Sequence, residues 1–305
     1  MRVAILDDYQ AVALGFADWS GLETTVFTSH LDDVDELEPF EVVVAMRERM
    51  PFTAERFARL PRLRLLVTTG MANASIDLAA AAAHGVTVCG TGGLPSPTAE
   101  LTWGLILALA RRIPAEDASV RAGGWQQGVG MELAGRTLGV IGHGRLGSRV
   151  AAIGRAFEMD VLAWSQNLRE APGAVVTSSL GELLAGSDVV SIHLKLSDRT
   201  RGLIGAAELA RMKPGALLIN TSRGPIVDEA ALLTALRSGA IGGAGLDVFD
   251  VEPLPPDHPL RSAPNTVLTP HIGYVSTGTY EIFYREAVED IHAFVAGTPV
   301  RVIGA

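Results

Sequence analysis

Three polar residues in the second half of the sequence each stand a few positions beyond a short apolar run that predicts a β-strand. They are Arg223, Glu252 and His271. In an open α/β sheet, ligands bind beyond the carboxyl ends of the strands, so the three side chains are expected to meet at one crevice. Taken singly, each has an ordinary alternative, because a strand-end arginine often forms a surface ion pair and a lone histidine is more often structural than catalytic.

These residue types suit hydride transfer to a 2-keto acid. The forked guanidinium of Arg223 can hold a carboxylate and a carbonyl group. His271 can deliver a proton to the forming alkoxide near neutral pH. Glu252 can orient the imidazole and stabilise its charged form. We therefore expect Arg223, Glu252 and His271 to be the catalytic residues.

A glycine-rich segment, Gly142-His143-Gly144-Arg145-Leu146-Gly147, predicts the site of a dinucleotide. A strand is predicted directly before this G-x-G-x-x-G pattern and a helix directly after it, which is the context of a dinucleotide fingerprint. The first glycine permits a tight turn, the second lets the backbone approach a pyrophosphate, and the third lets helix and strand pack closely. The helix N-terminus offers N–H groups and a positive dipole end to the phosphates. The alternative is a glycine-rich turn without a ligand.

The residues after the next predicted strand bear on the choice between NAD and NADP. An NAD-specific site usually places Asp or Glu about 20 residues beyond the glycines, whereas this chain has Ser165. Ser165, Gln166 and Asn167 could donate hydrogen bonds to a 2′-phosphate, and Arg169 is near in sequence. NADP is therefore expected to be tolerated and is a candidate for the preferred cofactor, whereas the lack of an arginine directly after Ser165 leaves NAD open as the alternative.

Strand-like and helix-like patterns alternate along the whole chain, an order typical of parallel strands joined by right-handed crossovers. Strands are predicted at 2–7, 24–28, 42–46, 63–68, 86–89, 138–141, 160–163, 175–177, 189–193, 217–220, 244–248 and 267–269. Two longer helical patterns, at about 98–113 and 276–296, could connect the domains.

At 305 residues the chain is expected to form two domains. The sequence predicts an α/β fold of two Rossmann-like or flavodoxin-like parallel-sheet domains with a cleft between them. The substrate domain is expected to be discontinuous, over residues 1–97 and 281–305, and the NAD(P)-binding Rossmann domain is expected over residues 98–280.

Composition argues against several classes of partner. The formal net charge of -9 disfavours binding to nucleic acid. The single cysteine, Cys89, cannot form an internal disulfide and fits the reducing cytoplasm. Asp7 and Asp8 do not fit a signal peptide, and the apolar stretch at 101–110 is shorter than the roughly 20 residues that span a bilayer. We expect a cytoplasmic protein with no membrane partner and, since its histidines are scattered, no metal site.

With these motifs in place, the chain resembles the D-isomer-specific 2-hydroxyacid dehydrogenase family, which includes phosphoglycerate dehydrogenases and glyoxylate/hydroxypyruvate reductases. The resemblance runs from about Leu63 to Gly273 and includes the fingerprint and the three polar residues. It implies an NAD(P)-dependent oxidoreductase that interconverts a small 2-keto acid and its D-2-hydroxy acid. It also implies a homodimer built around the region 98–113.

The resemblance implies further binding residues. The substrate carboxylate would be held by the backbone of Thr69, Gly70, Met71 and Ala72. The cofactor would be bound by Thr98, Gly142, Gly144, Arg145, Leu146, Gly147, Ser165, Gln166, Asn167, His193, Thr200, Thr221, Asp247 and Gly273. Two of these have plain alternatives, because Thr98 could be a helix cap and Asp247 could bond only to backbone.

Two departures from the family pattern concern the same site. Lys195 stands in a loop where proline is common and could add positive charge near the cofactor, and Tyr274 could narrow the substrate pocket. The substrate stays open among glyoxylate, hydroxypyruvate, phenylpyruvate-like acids and 3-phosphoglycerate. The main alternative is a non-catalytic dinucleotide-sensing protein of the same fold, like the C-terminal binding protein corepressors. Another is an oxidoreductase that acts on formate or phosphite.

Overall fold

Two parallel β-sheets organise the chain in the computed structural model, which describes residues 1–304. Residues 1–94 and 275–304 form one compact unit, called unit 1, and residues 95–274 form a second, called unit 2. The two parallel sheets with their helices confirm the predicted α/β fold class. The assignment of a substrate domain and a cofactor domain with the predicted bounds stays a prediction.

The strands of both sheets are short. Unit 1 contains β1 (Arg2–Ile5), β2 (Glu23–Val26), β3 (Val42–Ala45), β4 (Leu65–Thr68) and β5 (Thr87–Gly90). Unit 2 contains β6 (Thr137–Ile141), β7 (Asp160–Trp164), β8 (Val175–Val176), β9 (Val189–Ile192), β10 (Leu217–Asn220), β11 (Gly243–Leu246) and β12 (Thr266–Leu268).

Helices connect these strands in both units. They are α1 (Ala13–Phe16), α2 (Ala54–Ala58), α3 (Leu78–Ala83), α4 (Ser96–Ala110), α5 (Ile113–Arg121), α6 (Gly147–Ala156), α7 (Leu180–Gly186), α8 (Ala206–Leu209), α9 (Glu229–Ser238) and α10 (Thr277–Val295). Of these helices, all within residues 1–304, none combines the length and the apolar character needed to cross a membrane.

The sheet of unit 1 has the order β2-β1-β3-β4-β5, with every neighbouring pair parallel. All residues of β3 and β4 are buried, as expected for central strands that are covered on both faces. The last part of the chain completes this unit, because α10 packs on β4 and the Ile303 N–H donates to the Val88 carbonyl at 2.8 Å.

The sheet of unit 2 has the order β12-β11-β10-β9-β6-β7-β8 and is also parallel throughout. Successive side chains of a strand point to opposite faces. Leu217 and Ile219 accordingly join one hydrophobic cluster while Leu218 joins another. The sheet thus has a packed layer on each face, and its loops at the carboxyl edge are left to form a site.

The helix predicted over about 98–113 corresponds to α4 (Ser96–Ala110), which begins two residues earlier and ends three residues earlier than predicted. α4 ends at Ala110, Arg112 adopts a left-handed conformation with φ of 55°, and α5 starts at Ile113. Pro114 explains the break, because proline has no N–H to donate to the Ala110 carbonyl in a continuous helix. That carbonyl accepts a hydrogen bond from the Met131 N–H at 2.7 Å instead.

Candidate active site

One buried carboxylate fixes the loop that carries His271. Asp247, directly after β11, accepts hydrogen bonds from the N–H groups of Ile272 and Gly273, both at 2.8 Å, and from the Thr269 hydroxyl at 2.6 Å. Burial raises the pKa of the Asp247 carboxyl, although its three donors favour the charged form. These donors flank His271 on both sides, so the loop is held at its two ends. The predicted contact of Asp247 with a nicotinamide amide stays a prediction.

His271 adopts a left-handed backbone conformation, with φ of 54°. Such a conformation costs a non-glycine residue on the order of 1–3 kcal/mol and concentrates at functional sites. Its Nδ1 lies 2.6 Å from Glu252 Oε2, and the other carboxylate oxygen of Glu252 accepts the Phe249 N–H at 2.9 Å. The side chains of His271 and Glu252 are 14% and 22% exposed. The Tyr274 ring meets the imidazole edge-on, with centroids 5.6 Å apart.

Arg223 stands in a loop that touches the loop of Glu252. The Asn220 side-chain amide donates to the Arg223 carbonyl at 2.9 Å, and the Arg223 guanidinium donates to the Ser222 carbonyl at 2.7 Å. A Cβ atom on Gly224 would collide with the backbone of Phe249. Only glycine therefore allows the loops after β10 and β11 to approach so closely. Because β12, β11 and β10 are neighbours in the sheet, the structure places all three predicted catalytic residues at one edge.

The glycine segment has the shape that a pyrophosphate requires. Gly142 has φ of 96°, and a Cβ atom there would lie 2.6 Å from the His193 carbonyl oxygen. A Cβ atom on Gly147 would collide with the Gly142 carbonyl, so helix α6 can approach β6 only with glycine at that position. At Gly144, by contrast, a Cβ atom would meet nothing within 4 Å. We call the segment Gly142–Gly147 the glycine cradle. Its open side fits a dinucleotide phosphate group that approaches the backbone.

The residues predicted to bind the adenosine end follow β7. The Leu168 N–H donates to the Ser165 carbonyl at 3.0 Å and closes a turn, which leaves Gln166 and Asn167 exposed. The Gln166 side-chain oxygen accepts a hydrogen bond from Arg199 Nη1 at 3.4 Å. Arg199 was not among the residues predicted from the sequence, because it lies far from Ser165 along the chain. The available signal was the position of Arg199 between His193 and Thr200, which were both assigned to the cofactor.

The other predicted cofactor residues lie at the same edge. The His193 Nε2 bonds to the Ser191 hydroxyl at 2.8 Å, while its buried Nδ1 has no partner among residues 1–304. Burial lowers the pKa of His193 to about 4, so its ring is neutral at physiological pH. The Thr200 hydroxyl donates to the Lys195 carbonyl at 2.8 Å, and the Thr221 hydroxyl pairs with that of Thr102 at 2.9 Å. Arg145 is exposed beside Leu146 at the start of α6.

Thr98 does not cap a helix, so that alternative is wrong. It lies inside the first turn of α4, whose N-cap is Pro95. Its hydroxyl donates to the Gly273 carbonyl at 2.9 Å. Thr98 therefore joins α4 to the loop of His271, and its predicted contact with the nicotinamide stays a prediction.

In unit 1, the predicted carboxylate-binding loop follows β4. The N–H groups of Thr69 and Gly70 already donate to the Ala45 carbonyl at 3.0 Å and to the Thr91 hydroxyl at 3.0 Å. Within residues 1–304, no hydrogen bond engages the N–H groups of Met71 and Ala72. Only the latter two can therefore bind a carboxylate without breaking an existing bond.

Arg47 lies against this loop and was also missed. It follows β3, its N–H donates to the Thr69 hydroxyl at 2.9 Å, and a Cβ atom on Gly70 would collide with its guanidinium. Ligands bind beyond the carboxyl ends of strands in such sheets, and Arg47 stands at this position in unit 1, which is the signal that could have indicated it. No group of three or more His, Cys, Asp or Glu residues within 1–304 is arranged to hold a metal ion.

Comparison with known proteins gives concordant matches. Residues 103–273 match the family described as D-isomer specific 2-hydroxyacid dehydrogenase, NAD binding domain. The chain is 44% identical to the glyoxylate reductase of Aeropyrum pernix, over 79% of this chain and 76% of that protein. It is 38% identical to the glycerate dehydrogenase of Methylorubrum extorquens, over 89% and 88%. The crystal structure of a phosphoglycerate oxidoreductase from Vibrio cholerae superposes with a TM-score of 0.93 at 39% identity, covering 97% of this chain and 99% of that one.

Proposed function

Because the chain belongs to the D-isomer specific 2-hydroxyacid dehydrogenase family, we propose that it reduces a small 2-keto acid reversibly to the D-2-hydroxy acid at Arg223, Glu252 and His271. It is an oxidoreductase that acts with a nicotinamide dinucleotide, like its relatives. The observation that carries the residue assignment is the 2.6 Å contact between His271 and Glu252 at the carboxyl edge of a sheet that also carries the glycine cradle.

The cofactor would be held by the backbone of Gly142, Gly144 and Gly147 and by the first turn of α6. When bound, the reduced nicotinamide supplies the hydride that the substrate carbon receives. His193 presents a neutral ring at this edge, so it adds no charge beside the proposed cofactor site. Asp247 contributes by fixing Ile272 and Gly273, and thereby the position of the neighbouring His271.

His271 moves the proton in this proposal. Its Nδ1 faces Glu252, so Nε2 is the nitrogen left to donate a proton to the substrate oxygen as that oxygen becomes an alkoxide. The negative charge of Glu252 stabilises the imidazolium before the transfer and fixes the ring orientation. In the reverse direction the neutral imidazole accepts the hydroxyl proton through the same nitrogen.

Arg223 binds the substrate in this proposal. Its guanidinium presents several N–H donors in one plane, which suits a carboxylate and an adjacent carbonyl oxygen. It also polarises that carbonyl for attack by hydride, because positive charge near the oxygen stabilises the developing negative charge. The N–H groups of Met71 and Ala72 are proposed as further donors to the substrate carboxylate.

Turnover measurements test this function directly. Purified protein is mixed with NADH or NADPH and with glyoxylate, hydroxypyruvate, pyruvate or phenylpyruvate, and the absorbance of the reduced nicotinamide is followed. We expect oxidation that is lost in His271→Ala and Arg223→Ala and kept in the exposed control Arg237→Ala. Tight dinucleotide binding without turnover of any 2-keto acid would contradict the function and favour a dinucleotide-sensing protein.

We also propose a homodimer, but the region that supports it in the structure differs from the region that the sequence indicated. The apolar side of α4 packs within unit 2, so it needs no partner. Large apolar side chains are exposed instead on α5 and the segment after it, including Val120, Trp125 and Val129, with Trp125 72% exposed. Such a surface is typical of a contact between protein copies. Sedimentation at assay concentration should give a dimer that Trp125→Ser weakens, and a monomeric wild type would remove the claim.

We also propose a cytoplasmic location. The chain has a single cysteine, which is buried, and burial raises the pKa of its thiol to about 12. A fold that needs no disulfide suits a reducing compartment. Fractionation of cells that produce the tagged protein tests the location, and recovery outside the cytoplasm would contradict it.

A further inference from the structure

The loop after β9 brings an arginine to the adenosine end of the cofactor site. Strand β6, which leads into the glycine cradle, lies between β7 and β9 in the sheet. The loops after β7 and β9 therefore flank the cradle on its two sides. They meet where Arg199 Nη1 donates to the Gln166 side-chain oxygen at 3.4 Å.

The loop that carries Arg199 is ordered by its own hydrogen bonds. The Ser197 N–H donates to the Thr200 hydroxyl at 2.8 Å, and that hydroxyl donates to the Lys195 carbonyl at 2.8 Å. The Arg201 N–H donates to the Ser197 carbonyl at 2.9 Å. Arg199 is thus presented on a closed turn, which reduces the entropy lost when its guanidinium binds a ligand.

The charge around Arg199 favours an anion. The turn at 165–168 contains no carboxylate, and its first residue, Ser165, replaces the acidic residue that binds the ribose hydroxyls in NAD-specific sites. Among residues 1–304, Arg199 forms no ion pair within 4.0 Å, and neither does the exposed Asp198 beside it. The guanidinium is exposed, so its charge faces the space beside the turn rather than the protein interior.

We infer that Arg199 selects NADP, because its guanidinium and the Gln166 amide hold a phosphate group on the 2′-oxygen of the adenosine ribose. The inference rests on the proposed function only in that a dinucleotide binds at Gly142–Gly147. A planar guanidinium binds phosphate through two parallel hydrogen bonds. Since the Gln166 oxygen accepts from Arg199, the Gln166 NH₂ group is left to donate to the same phosphate. Ser165 adds a hydroxyl donor and no repelling charge.

Equilibrium binding tests the inference without any turnover. Dissociation constants of NADPH, NADH, adenosine 2′,5′-bisphosphate and AMP are measured by calorimetry for the wild type and for Arg199→Gln. We expect the variant to bind the two 2′-phosphorylated ligands about tenfold to a hundredfold more weakly, as for the loss of a charge-assisted hydrogen bond. NADH and AMP should stay within about twofold, because they carry no 2′-phosphate for Arg199 to hold.

Three further variants sharpen the test. Arg199→Lys should keep part of the preference, because it retains the charge and loses the planar fork. Arg169→Gln removes the arginine that is closer to Ser165 in sequence and should leave the preference intact. Arg237→Gln is the matched control for net charge, because Arg237 is exposed in the last turn of α9, which leads to the amino edge of the sheet.

The outcomes separate this inference from the proposed function. Equal weakening of NADPH and NADH in Arg199→Gln, or a loss seen only in Arg169→Gln, would overturn it. A wild type that binds NADH as tightly as NADPH would overturn it as well. The expected binding pattern without turnover of any 2-keto acid would support the role of Arg199 and contradict the proposed function. Failure of both nucleotides to bind would contradict both.

Discussion

At the scale of single residues, the pairing of His271 with Glu252 leads to a prediction about the rate of reduction. Replacing Glu252 with Gln removes the negative charge that stabilises the imidazolium, while the amide can still accept the Phe249 N–H. We expect kcat/KM for reduction to fall about tenfold to a hundredfold, as when a hydrogen bond to a charged group is lost.

The measurement is kcat/KM for 2-keto acid reduction at one fixed pH. Glu132→Gln serves as the control, because Glu132 is exposed and pairs with Arg136 at 3.0 Å in the same unit. An unchanged kcat/KM in Glu252→Gln would contradict a role of this carboxylate in the reaction.

The burial of His193 leads to a prediction about how the stability of the fold changes as the pH falls. Burial lowers its pKa to about 4 in the folded chain, against an ordinary value of about 6.5 in an unfolded chain. The neutral ring therefore contributes stability above about pH 6.5, and this contribution is lost as the pH falls toward 4, by up to roughly 1.4 kcal/mol per pH unit. His193→Gln should flatten the fall of Tm between pH 7 and pH 5.

The comparison is made without cofactor, so that changes in binding do not affect Tm. His292→Gln, a substitution of an exposed histidine on α10, is the control and should follow the wild type. If His193→Gln were as acid-sensitive as the wild type, the imidazole would not be held neutral by burial.

At the scale of elements, two glycines of the glycine cradle are expected to affect different properties. Gly147 affects folding stability, whereas Gly144 affects cofactor binding. A Cβ atom on Gly147 would collide with the Gly142 carbonyl, so Gly147→Ala should destabilise the protein by about 1–3 kcal/mol, the usual cost of overpacking. A Cβ atom on Gly144 meets nothing within 4 Å, so Gly144→Ala should fold normally. It should nevertheless bind NADPH and NADH at least about tenfold more weakly, because the added methyl group occupies the path of the phosphate.

Chemical denaturation and calorimetric titration of the two variants give the necessary readouts. The pair serves as its own control, since both substitutions add the same methyl group within one short segment. Normal cofactor affinity in Gly144→Ala would mean that the phosphate does not approach this backbone.

The elements themselves were largely predictable. β10 has the predicted bounds, 217–220, because a continuous apolar run between breakers leaves little choice. The helix predicted over about 98–113 exists as α4, but it ends at Ala110, because Arg112 leaves the right-handed helical conformation. The position of the three proposed catalytic residues at one edge of the sheet was predictable because each follows a strand. The contact of Arg199 with Gln166 was not, because it depends on the order of strands in the sheet. Neither was the use of the Gly70 N–H by the Thr91 hydroxyl, which joins two loops distant in sequence.

At the scale of the whole molecule, the C-terminal segment is tied into unit 1 by a charge cluster with one buried member, Asp290. Arg301 donates to Asp290 Oδ1 at 3.0 Å and to Glu289 at 3.0 Å, while Glu286 accepts the Gly92 N–H at 2.6 Å. Asp290 is fully buried. Burial raises the pKa of Asp290 to about 7, although Arg301 opposes the shift.

The raised pKa of Asp290 predicts how the stability of the Asp290→Asn variant depends on pH. The unfolded chain releases the Asp290 proton near pH 4 and the folded chain near pH 7, so the wild type loses stability as the pH rises through this window. The variant avoids this loss. Its free energy of unfolding should therefore rise relative to that of the wild type by up to roughly 1.4 kcal/mol per pH unit within this window. Tm values at pH 5 and pH 8 give the comparison. A constant difference between the two proteins would indicate that Arg301 keeps Asp290 ionised throughout.

The interruption of unit 1 by unit 2 has a consequence for biosynthesis. Strands β1 to β5 leave the ribosome before residue 95, but α10, which supplies the fully buried Tyr284, starts only at Thr277. The 180 residues from 95 to 274 are made in between, which takes on the order of 10–40 s at typical translation rates. During that interval the nascent sheet of unit 1 exposes apolar surface on β4 that α10 later covers. Such transiently exposed surface is prone to aggregation and is protected by chaperones, so reduced chaperone activity should lower the yield of this protein more than that of a chain whose domains are contiguous.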